Sequence, residues 1–248
     1  MPPRDLVWDG CLNVRDLGGF AVDGGETRFG SVVRADSVSQ LTPAGWQALT
    51  DYGVRTVLDL RGDHEREDDP PRDLPVEVLH VPFMEANEQE WNEIAEELEA
   101  VAKQPRVADA TRDAYLIFLE RFRPNVGAAV KAVAHAPEGG LVIHCVGGKD
   151  RTGLLTALLL YLAGVPVEEI ARDYAVSEER LRPRHDKWLE AAESDAERER
   201  LERITQCPPE AIVEVFGELE RRYGSVEDYL RTAGVTDEEM ELARRRLR

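Results

Sequence analysis

The stretch HCVGGKDRTG, residues 144–153, lies between two strongly apolar segments of the chain. Before it, GLVIHC (140–145) has the continuous apolar character of a strand that is buried on both faces. After it, LLTALLLYLAGV (154–165) predicts a buried helix that is too short to span a bilayer. The stretch is therefore expected to fold as the end of a strand, a loop and the start of a helix.

The loop between these elements has the composition of a site for a tetrahedral oxyanion. Gly147 and Gly148 allow the backbone to curl so that successive N–H groups point into one concavity. The positive N-terminal end of the following helix strengthens that field. Arg151 adds a guanidinium that can donate two parallel hydrogen bonds to phosphate oxygens. Together these features predict a phosphate cradle.

The same positive field acts on Cys145 at the start of the loop. Aligned amides, a helix N-terminus and the charges of Lys149 and Arg151 all stabilise a thiolate. A thiolate at the floor of an oxyanion cradle is a nucleophile aimed at phosphorus, and its product is a phosphocysteine that water hydrolyses in a second step. Thr152 is placed to donate a hydroxyl hydrogen bond to the thiolate. His144 is expected to orient the loop through backbone contacts rather than to act as a base.

Two other interpretations of the loop are weaker. A nucleotide-binding P-loop needs glycine at position 143 and serine or threonine at position 150, where this chain has Ile143 and Asp150. A buried structural cysteine is the default for a lone thiol, and we favour it for Cys11 and Cys207. For Cys145, the glycines, the spacing to the arginine and the flanking apolar elements argue against it.

Composition narrows the classes of function. The formal net charge of -18 argues against non-specific binding to nucleic acid or to anionic lipid. The three widely spaced cysteines give no disulfide framework, and neither they nor the scattered histidines have metal-ligand spacing. The segment MPPRDLVWDG (1–10) contains no apolar run of the secretory kind. We expect a cytoplasmic protein with no metal, no cofactor and no stable membrane insertion.

Strand-like and helix-like segments alternate before residue 166, which predicts an α/β fold with a mainly parallel central sheet flanked by helices. Gly24 and Gly25 indicate a hairpin. We expect one domain over residues 1–248, with a helical C-terminal part from about 166 to 248. The predicted strands are 54–61, 76–83 and 140–145. The predicted helices are 42–53, 87–103, 109–121, 124–135, 153–164, 166–181, 186–204, 209–224, 225–234 and 236–248.

The segment EANEQEWNEIAEELEA (85–100) holds seven glutamates. Such a charge run is usually the solvated face of a helix. The alternative is a mobile flap near the loop, held away from an anionic ligand by like charge. Helices within 87–121 and 177–207 are candidates for a lid, but the sequence does not place them over the loop.

The pattern of cysteine, five residues and arginine, followed by Thr-Gly, resembles the signature loop of the cysteine-dependent protein tyrosine phosphatase superfamily. The form HCxxGKDRTG is most similar to the bacterial and fungal branch with lipid-phosphatase-like loops. Members of that branch act variously on phosphotyrosine, phosphoserine or phosphothreonine, and phosphoinositides. Similar segments follow in the right order along nearly the whole chain: NVRDLGGF (13–20), VVRAD (32–36), GVRTVLDLR (53–61), DYAVSEE (173–179) and the tail from 223 to 247.

The resemblance implies a role for each loop residue. Cys145 is the expected nucleophile, Arg151 the clamp on the phosphate and the transition state, and Asp150 the general acid for the leaving phenol. Lys149 adds charge, as in phosphatases that accept phosphoinositides. The amides of residues 146–151 are expected to surround the other phosphate oxygens, and the expected substrate-binding residues are Val146, Gly147, Gly148, Lys149 and Thr152.

The resemblance also implies the function. The leading expectation is a metal-independent protein-tyrosine phosphatase that acts on phosphorylated protein. The alternatives are a phosphoinositide or dual-specificity phosphatase and, in another class, a phosphate-binding module without turnover.

The identity of the general acid stays open. Many tyrosine phosphatases carry it in a Trp-Pro-Asp triplet, which is absent from this sequence. Glu85, just after HVPF, and Asp63, after the strand at 54–61, are therefore alternatives to Asp150.

A second open assignment concerns Arg15, Asp16, Arg34 and Arg61. We expect these residues to form a buried ion-pair network that braces the loop. Arg61 lies at the carboxyl end of a predicted strand, where the sites of α/β proteins gather, so a second anion contact is the alternative for it.

Overall fold

The computed structural model describes residues 4–67, 69 and 76–248, and a five-stranded sheet lies at its centre. The strands of the described residues are β1 (Arg15–Asp16), β2 (Ala21–Val22), β3 (Gly25–Glu26), β4 (Val32–Ala35), β5 (Val54–Asp59), β6 (Glu77–His80) and β7 (Gly140–His144). The central sheet has the order β1-β4-β7-β5-β6, in which β1 is antiparallel to β4 and the other neighbours are parallel. The predicted α/β fold with a mainly parallel sheet is confirmed. Residues 1–3, part of the segment that lacks a secretory run, lie outside the described residues.

Strand β7 occupies the middle of the sheet, and all of its residues are buried. Leu141 and Ile143 pack into the apolar core on one face, and Val142 packs into the core on the other. Because side chains alternate between the faces of a strand, a strand covered on both sides needs apolar residues throughout. Parallel strands end at the same edge of a sheet, and Cys145 follows β7 at that edge.

The hairpin predicted at Gly24 and Gly25 is formed by β2 and β3. Its tight turn is Asp23–Gly24, and Gly25 already belongs to β3. Gly24 has a φ of +86°, a left-handed conformation that glycine adopts without strain.

Helices cover both faces of the sheet. In the described residues the α-helices are α1 (Pro43–Asp51), α2 (Glu88–Ala102), α3 (Val107–Arg121), α4 (Arg123–His135), α5 (Arg151–Leu162), α6 (Val167–Glu190), α7 (Asp195–Ile204), α8 (Pro209–Tyr223), α9 (Val226–Thr232) and α10 (Asp237–Leu247). Trp8 and Leu49 lie in the core on the α1 side of the sheet, and residues of α3, α4, α5 and α8 form the core on the other side. None of these helices is long and apolar enough to cross a bilayer.

Side-chain caps fix the starts of several helices. Thr42 accepts a hydrogen bond from the N–H of Gly45 at 3.2 Å, and Pro43 follows it at the first position of α1. Asn87 and Glu90 form a capping box at the start of α2. Such local signals are visible in the sequence, which is why most predicted helix ends lie within two residues of the observed ones.

The predicted helix break at residues 182–185 is wrong. Helix α6 runs unbroken through Pro183, and the chain breaks later, where Ser194 caps α7. A proline inside a helix removes one hydrogen bond and costs about 3 kcal/mol. The burial of Leu181 and His185 beside it offsets that cost. The long helix carries its C-terminal half to the edge of the sheet where the loop at 145–151 lies.

Candidate active site

The loop at residues 145–151 turns its carbonyl groups toward the surrounding protein. The carbonyl of Val146 accepts from the backbone N–H of Ser37 at 3.0 Å. That of Gly147 accepts from the side-chain amide of Asn13 at 3.1 Å, and that of Gly148 accepts from the guanidinium of Arg34 at 2.7 Å. In a trans peptide the N–H points away from the C=O, so the amides after these carbonyls face the concave side of the loop. None of the N–H groups of residues 146–151 donates to another described residue. The loop therefore presents a nest of donors to an anion.

The two glycines of the loop have different parts in its shape. Gly148 has a φ of +64°, and a Cβ there would lie 2.3 Å from the carbonyl oxygen of Ala35, so the position requires glycine. Gly147 is under no such constraint, because a Cβ there would first meet Leu181 at 3.9 Å. Gly148 sets the curl of the loop, and Gly147 leaves space at its mouth.

Cys145 lies at the floor of the loop, where it is 3% exposed and lines a cavity. The Nδ1 of His144 donates to the carbonyl of Cys145 at 3.0 Å. Burial lowers the pKa of the His144 imidazole, which therefore stays neutral near pH 7. The structure thus places His144 against the backbone beneath the thiol.

The predicted hydrogen bond from Thr152 to the Cys145 thiol is not formed. The Thr152 hydroxyl is buried and has no hydrogen-bond partner among the described residues. Thr152 already belongs to the first turn of α5, and that turn buries its side chain.

Arg151 begins helix α5, and Glu65 holds its guanidinium. One terminal nitrogen donates to Oε1 of Glu65 at 2.7 Å, and the other donates to Oε2. Burial opposes the charged guanidinium, but the hydrogen bonds to Glu65 and the charge of Cys145 outweigh it and raise the pKa of Arg151 above its ordinary value. Burial likewise opposes the Glu65 carboxylate, and the hydrogen bonds from Arg151 lower its pKa. The other guanidinium N–H groups remain available to a phosphate.

Asp150 lines the same cavity at the N-terminal end of α5, with 48% of its side chain exposed. Its Oδ1 accepts from the hydroxyl of Tyr115 at 2.7 Å and lies 3.6 Å from the ammonium of Lys149. The two alternative acids, Asp63 and Glu85, are exposed and do not line this cavity. Of the three candidate carboxylates, the structure brings only Asp150 to the loop.

Lys149, which was predicted to add charge to the cradle, lines the cavity, but its ammonium lies against the end of α7. Its ammonium donates to the carbonyl of Ile204 and lies 3.4 Å from that of Gln206. Carbonyls at a helix C-terminus lack intrahelical partners and carry partial negative charge, so they compete for the cation. Lys149 caps α7 and ties it to the loop. Arg203 of α7 caps α2 in the same way, donating to the carbonyl of Gln104 at 2.5 Å.

Asp173 of α6, a buried carboxylate that was not among the predicted site residues, joins the predicted arginines. Its Oδ1 lies 3.1 Å from Arg15, its Oδ2 lies 2.8 Å from Arg34, and Arg4 also contacts it. Arg15 and Arg34 are cross-strand partners in β1 and β4, so they would repel one another without it. Burial opposes the ionised carboxyl, but the three arginines outweigh burial and hold the pKa of Asp173 well below its ordinary value. Because Arg34 also donates to the carbonyl of Gly148, the network braces the loop.

Arg61 and Asp16 lie outside that network. Arg61 is buried, pairs with Asp59 at 2.8 Å and Asp69 at 2.5 Å, and lies 3.4 Å from the carbonyl of Glu65. It braces the turn that carries Glu65 and does not line the cavity. Asp16 accepts from two backbone N–H groups and a tyrosine hydroxyl, and it forms no ion pair with a described residue, so the ion pair expected for it with the arginines is wrong.

A cavity of about 1480 Å³ opens above the loop, larger than the roughly 300–1,000 Å³ of most small-molecule pockets. Its walls come from α2, α3, α6 and α7 and are mainly apolar, with Trp91, Phe118, Leu181 and Trp188 among them. The helices considered as a lid therefore do surround the loop. Most glutamates of helix α2 are exposed, as expected for a solvated helix face, and its apolar edge lines the cavity. A mobile flap held away from an anionic ligand stays a prediction for this segment.

The tyrosine phosphatase family matches the chain over residues 6–248. The chain belongs to this family. The predicted resemblance to the cysteine-dependent tyrosine phosphatases is confirmed, and so is the expectation of a protein phosphatase.

Curated relatives agree with the family. A tyrosine-protein phosphatase of Nostoc commune is 27% identical over 232 residues, which are 87% of this chain and 73% of that protein. A putative tyrosine-protein phosphatase of Cupriavidus necator is 30% identical over 191 residues, 71% of this chain and 64% of that protein. The triple specificity protein phosphatase PtpB of Mycobacterium tuberculosis is 25% identical over 275 aligned positions, 95% of each chain.

Proposed function

We propose that this family member hydrolyses phosphotyrosine in proteins through a cysteinyl-phosphate on Cys145. The observation that carries the proposal is the nest of N–H donors at residues 146–151 around a buried thiol, with Arg151 beside it. A phosphate seated in this nest has its phosphorus above Sγ and its bridging oxygen toward the cavity.

In the first step, the Cys145 thiolate attacks phosphorus while the bond from phosphorus to the phenolic oxygen breaks. Arg151, oriented by Glu65, donates to the phosphate oxygens and stabilises the charge of the transition state. Asp150 gives its proton to the departing phenolate, so that neutral tyrosine leaves.

In the second step, water attacks the phosphorus of the cysteinyl-phosphate. Asp150, now a carboxylate, takes a proton from that water, and the bond between phosphorus and sulfur breaks. Inorganic phosphate leaves and the thiolate is restored. Every proton and bond in the cycle is accounted for by Cys145, Asp150 and water, so neither step calls for a cofactor.

A broader specificity is the second candidate. The cavity is wider than a single phosphotyrosine ring requires, and one relative is named a triple specificity phosphatase. Phosphoinositides are the substrates that the loop form suggested, although Lys149 is engaged by the end of α7. A panel of phosphotyrosine peptide, phosphoserine peptide and mono- and bisphosphorylated inositides, compared by kcat/KM, ranks these classes. We expect the phosphotyrosine peptide to rank first.

Turnover of an aryl phosphate by pure, reduced protein tests the proposal. The Cys145→Ser variant should lose turnover, while Cys11→Ser should keep it, because serine can still donate to the Ser37 carbonyl that the Cys11 thiol contacts at 3.4 Å. Binding of phosphate by the wild type without any hydrolysis would instead support a phosphate-binding module.

We further propose that residues 1–248 work as one domain in a reducing cytoplasm. The extent of the family match, 6–248, supports the first point. The free thiols of Cys11, Cys145 and Cys207 support the second.

A further inference from the structure

The proposed chemistry does not use Tyr115, although its hydroxyl reaches the loop. Tyr115 lies in α3, is 2% exposed and lines the cavity. Its hydroxyl makes two hydrogen bonds, to Oδ1 of Asp150 at 2.7 Å and to the hydroxyl of Tyr174 at 2.8 Å. The two rings meet edge to face with their centroids 5.9 Å apart. A buried aromatic pair therefore holds one oxygen of the proposed acid.

The direction of these hydrogen bonds follows from the number of protons. Each tyrosine hydroxyl has one proton to donate, and an ionised carboxylate only accepts. Tyr115 therefore donates to Asp150, and Tyr174 donates to Tyr115. Burial raises the pKa of both tyrosines well above the ordinary value, so both hydroxyls keep their protons near pH 7.

The two oxygens of Asp150 consequently differ. Oδ1 faces the Tyr115 hydroxyl and lies 3.6 Å from the ammonium of Lys149. Oδ2 receives no hydrogen bond from a described residue. Negative charge is stabilised on Oδ1, and the proton is taken up on Oδ2.

We infer that Tyr115, held in turn by Tyr174, is a positioning residue for the general acid. It fixes Oδ1 of Asp150, so that Oδ2 carries the proton toward the leaving group. The inference rests on the proposed function, because it assumes that Asp150 is the acid.

The Tyr115→Phe variant removes only the hydroxyl and keeps the ring. We expect its kcat/KM to fall about 10-fold or more for phenyl phosphate, whose leaving group needs a proton, because a hydrogen bond to a charged group is lost. For dinitrophenyl phosphate the fall should be less than about threefold, since protonation matters little there. Inhibition by vanadate should be unchanged, which shows that the loop is intact. Tyr174→Phe should give a smaller change in the same direction.

Tyr229→Phe is the matched control, because it removes an equally buried hydroxyl that donates to the carbonyl of Leu119 at 2.8 Å, away from the loop. It should leave the dependence on the leaving group unchanged. Equal slowing of both substrates by Tyr115→Phe, or no slowing, overturns the inference.

The Asp150→Asn variant distinguishes a failure of the positioning inference from a failure of the proposed function. If Asp150→Asn slows the poor leaving group selectively and Tyr115→Phe does not, the positioning inference alone fails. If Asp150→Asn slows both substrates equally, the acid assignment and the inference fail together. In the Asp150→Asn background, Tyr115→Phe should have no further effect on the leaving-group dependence.

Discussion

The carboxylate of Glu65 pairs with both terminal nitrogens of Arg151, although the two residues are 86 positions apart in the sequence. Glu65 lies in a short turn after β5, and Arg61 and Asp59 beneath it brace that turn. The pair fixes the plane of the guanidinium before any phosphate arrives. In the proposed mechanism this fixed orientation is what lets Arg151 stabilise the transition state without reorganising.

Glu65→Gln should therefore weaken the binding of phosphate and of its transition state. Hydrogen bonds to charged groups contribute about 1.5–3 kcal/mol, so we expect kcat/KM to fall roughly 10- to 100-fold and the inhibition constant for vanadate to rise in parallel. Steady-state kinetics with an aryl phosphate measure both. Asp63→Asn, in the same turn but 77% exposed, is the control and should change neither value. An unchanged kcat/KM in Glu65→Gln would show that the pair is only structural.

The identity of the general acid is tested by measuring how the rate of each variant depends on the leaving group. Asp150→Asn should slow phenyl phosphate about 100-fold or more and dinitrophenyl phosphate far less, because only the first needs the proton. Glu85→Gln and Asp63→Asn should show no such dependence, since neither residue lines the cavity. If Asp150→Asn slows both substrates alike, the role moves to one of those two carboxylates.

Asp173 should contribute strongly to the free energy of unfolding. Asp173→Asn leaves Arg15 and Arg34 buried with no carboxylate between them, and breaking a buried ion pair costs about 3–5 kcal/mol. Denaturant unfolding measures this difference. The pair of the exposed Asp5 with the half-buried Arg180 gives the control, because Asp5→Asn should cost less than about 1 kcal/mol. A loss of similar size in both variants would contradict the proposed bracing network.

The same carboxyl predicts a dependence of stability on pH. Folding lowers the pKa of Asp173, because its arginine partners outweigh burial. Its contribution to stability is therefore fully present above its pKa in the unfolded chain, about 4, and is lost as the pH falls from there toward the lower pKa of the folded state. The difference in free energy of unfolding between wild type and Asp173→Asn should be constant from pH 5 to 8 and shrink below pH 4. A constant difference down to pH 3 would contradict this assignment.

The loop and the order of elements could be predicted because their signals are local. The apolar run Leu141–Ile143 predicts β7, and the glycines and Arg151 stand within a few residues of Cys145. A cap such as Thr42 marks a helix start from neighbouring residues alone. The sequence therefore carries both the strand–loop–helix framework and the chemistry of its loop.

The partners of the loop could not be predicted, because each comes from a distant segment. Glu65 contacts the loop from a turn and Tyr115 contacts it from α3, whereas Asp173 of α6 supports it through Arg34. A single carboxylate in an acidic chain is not conspicuous. One signal was available for Asp173: it follows the buried Ile170 at helical spacing, which places a charge on an apolar face. The contact of Lys149 with the carbonyl of Ile204 likewise joins segments that are 55 positions apart in the sequence.

Oxidation should distinguish the three cysteines. Burial raises the pKa of the Cys207 thiol to about 11, and burial together with Asp36 raises that of Cys11 still further, so both stay protonated and unreactive. Cys145, in the donor nest, should be oxidised first by dilute peroxide, and activity should be lost at the same rate as Cys145 is oxidised. Alkylation of the remaining thiols followed by peptide mass spectrometry measures the order. Faster modification of Cys11 or Cys207 would contradict the account of the loop.

In the proposed mechanism, Cys145 carries the phosphoryl group during turnover. Rapid mixing of the enzyme with dinitrophenyl phosphate, quenching in denaturant and peptide mass spectrometry test it directly. We expect one phosphoryl group on the peptide that contains Cys145, appearing within the first turnover and absent from folded Cys145→Ser. A phosphoryl group on any other residue, or full turnover by Cys145→Ser, would overturn the proposed mechanism.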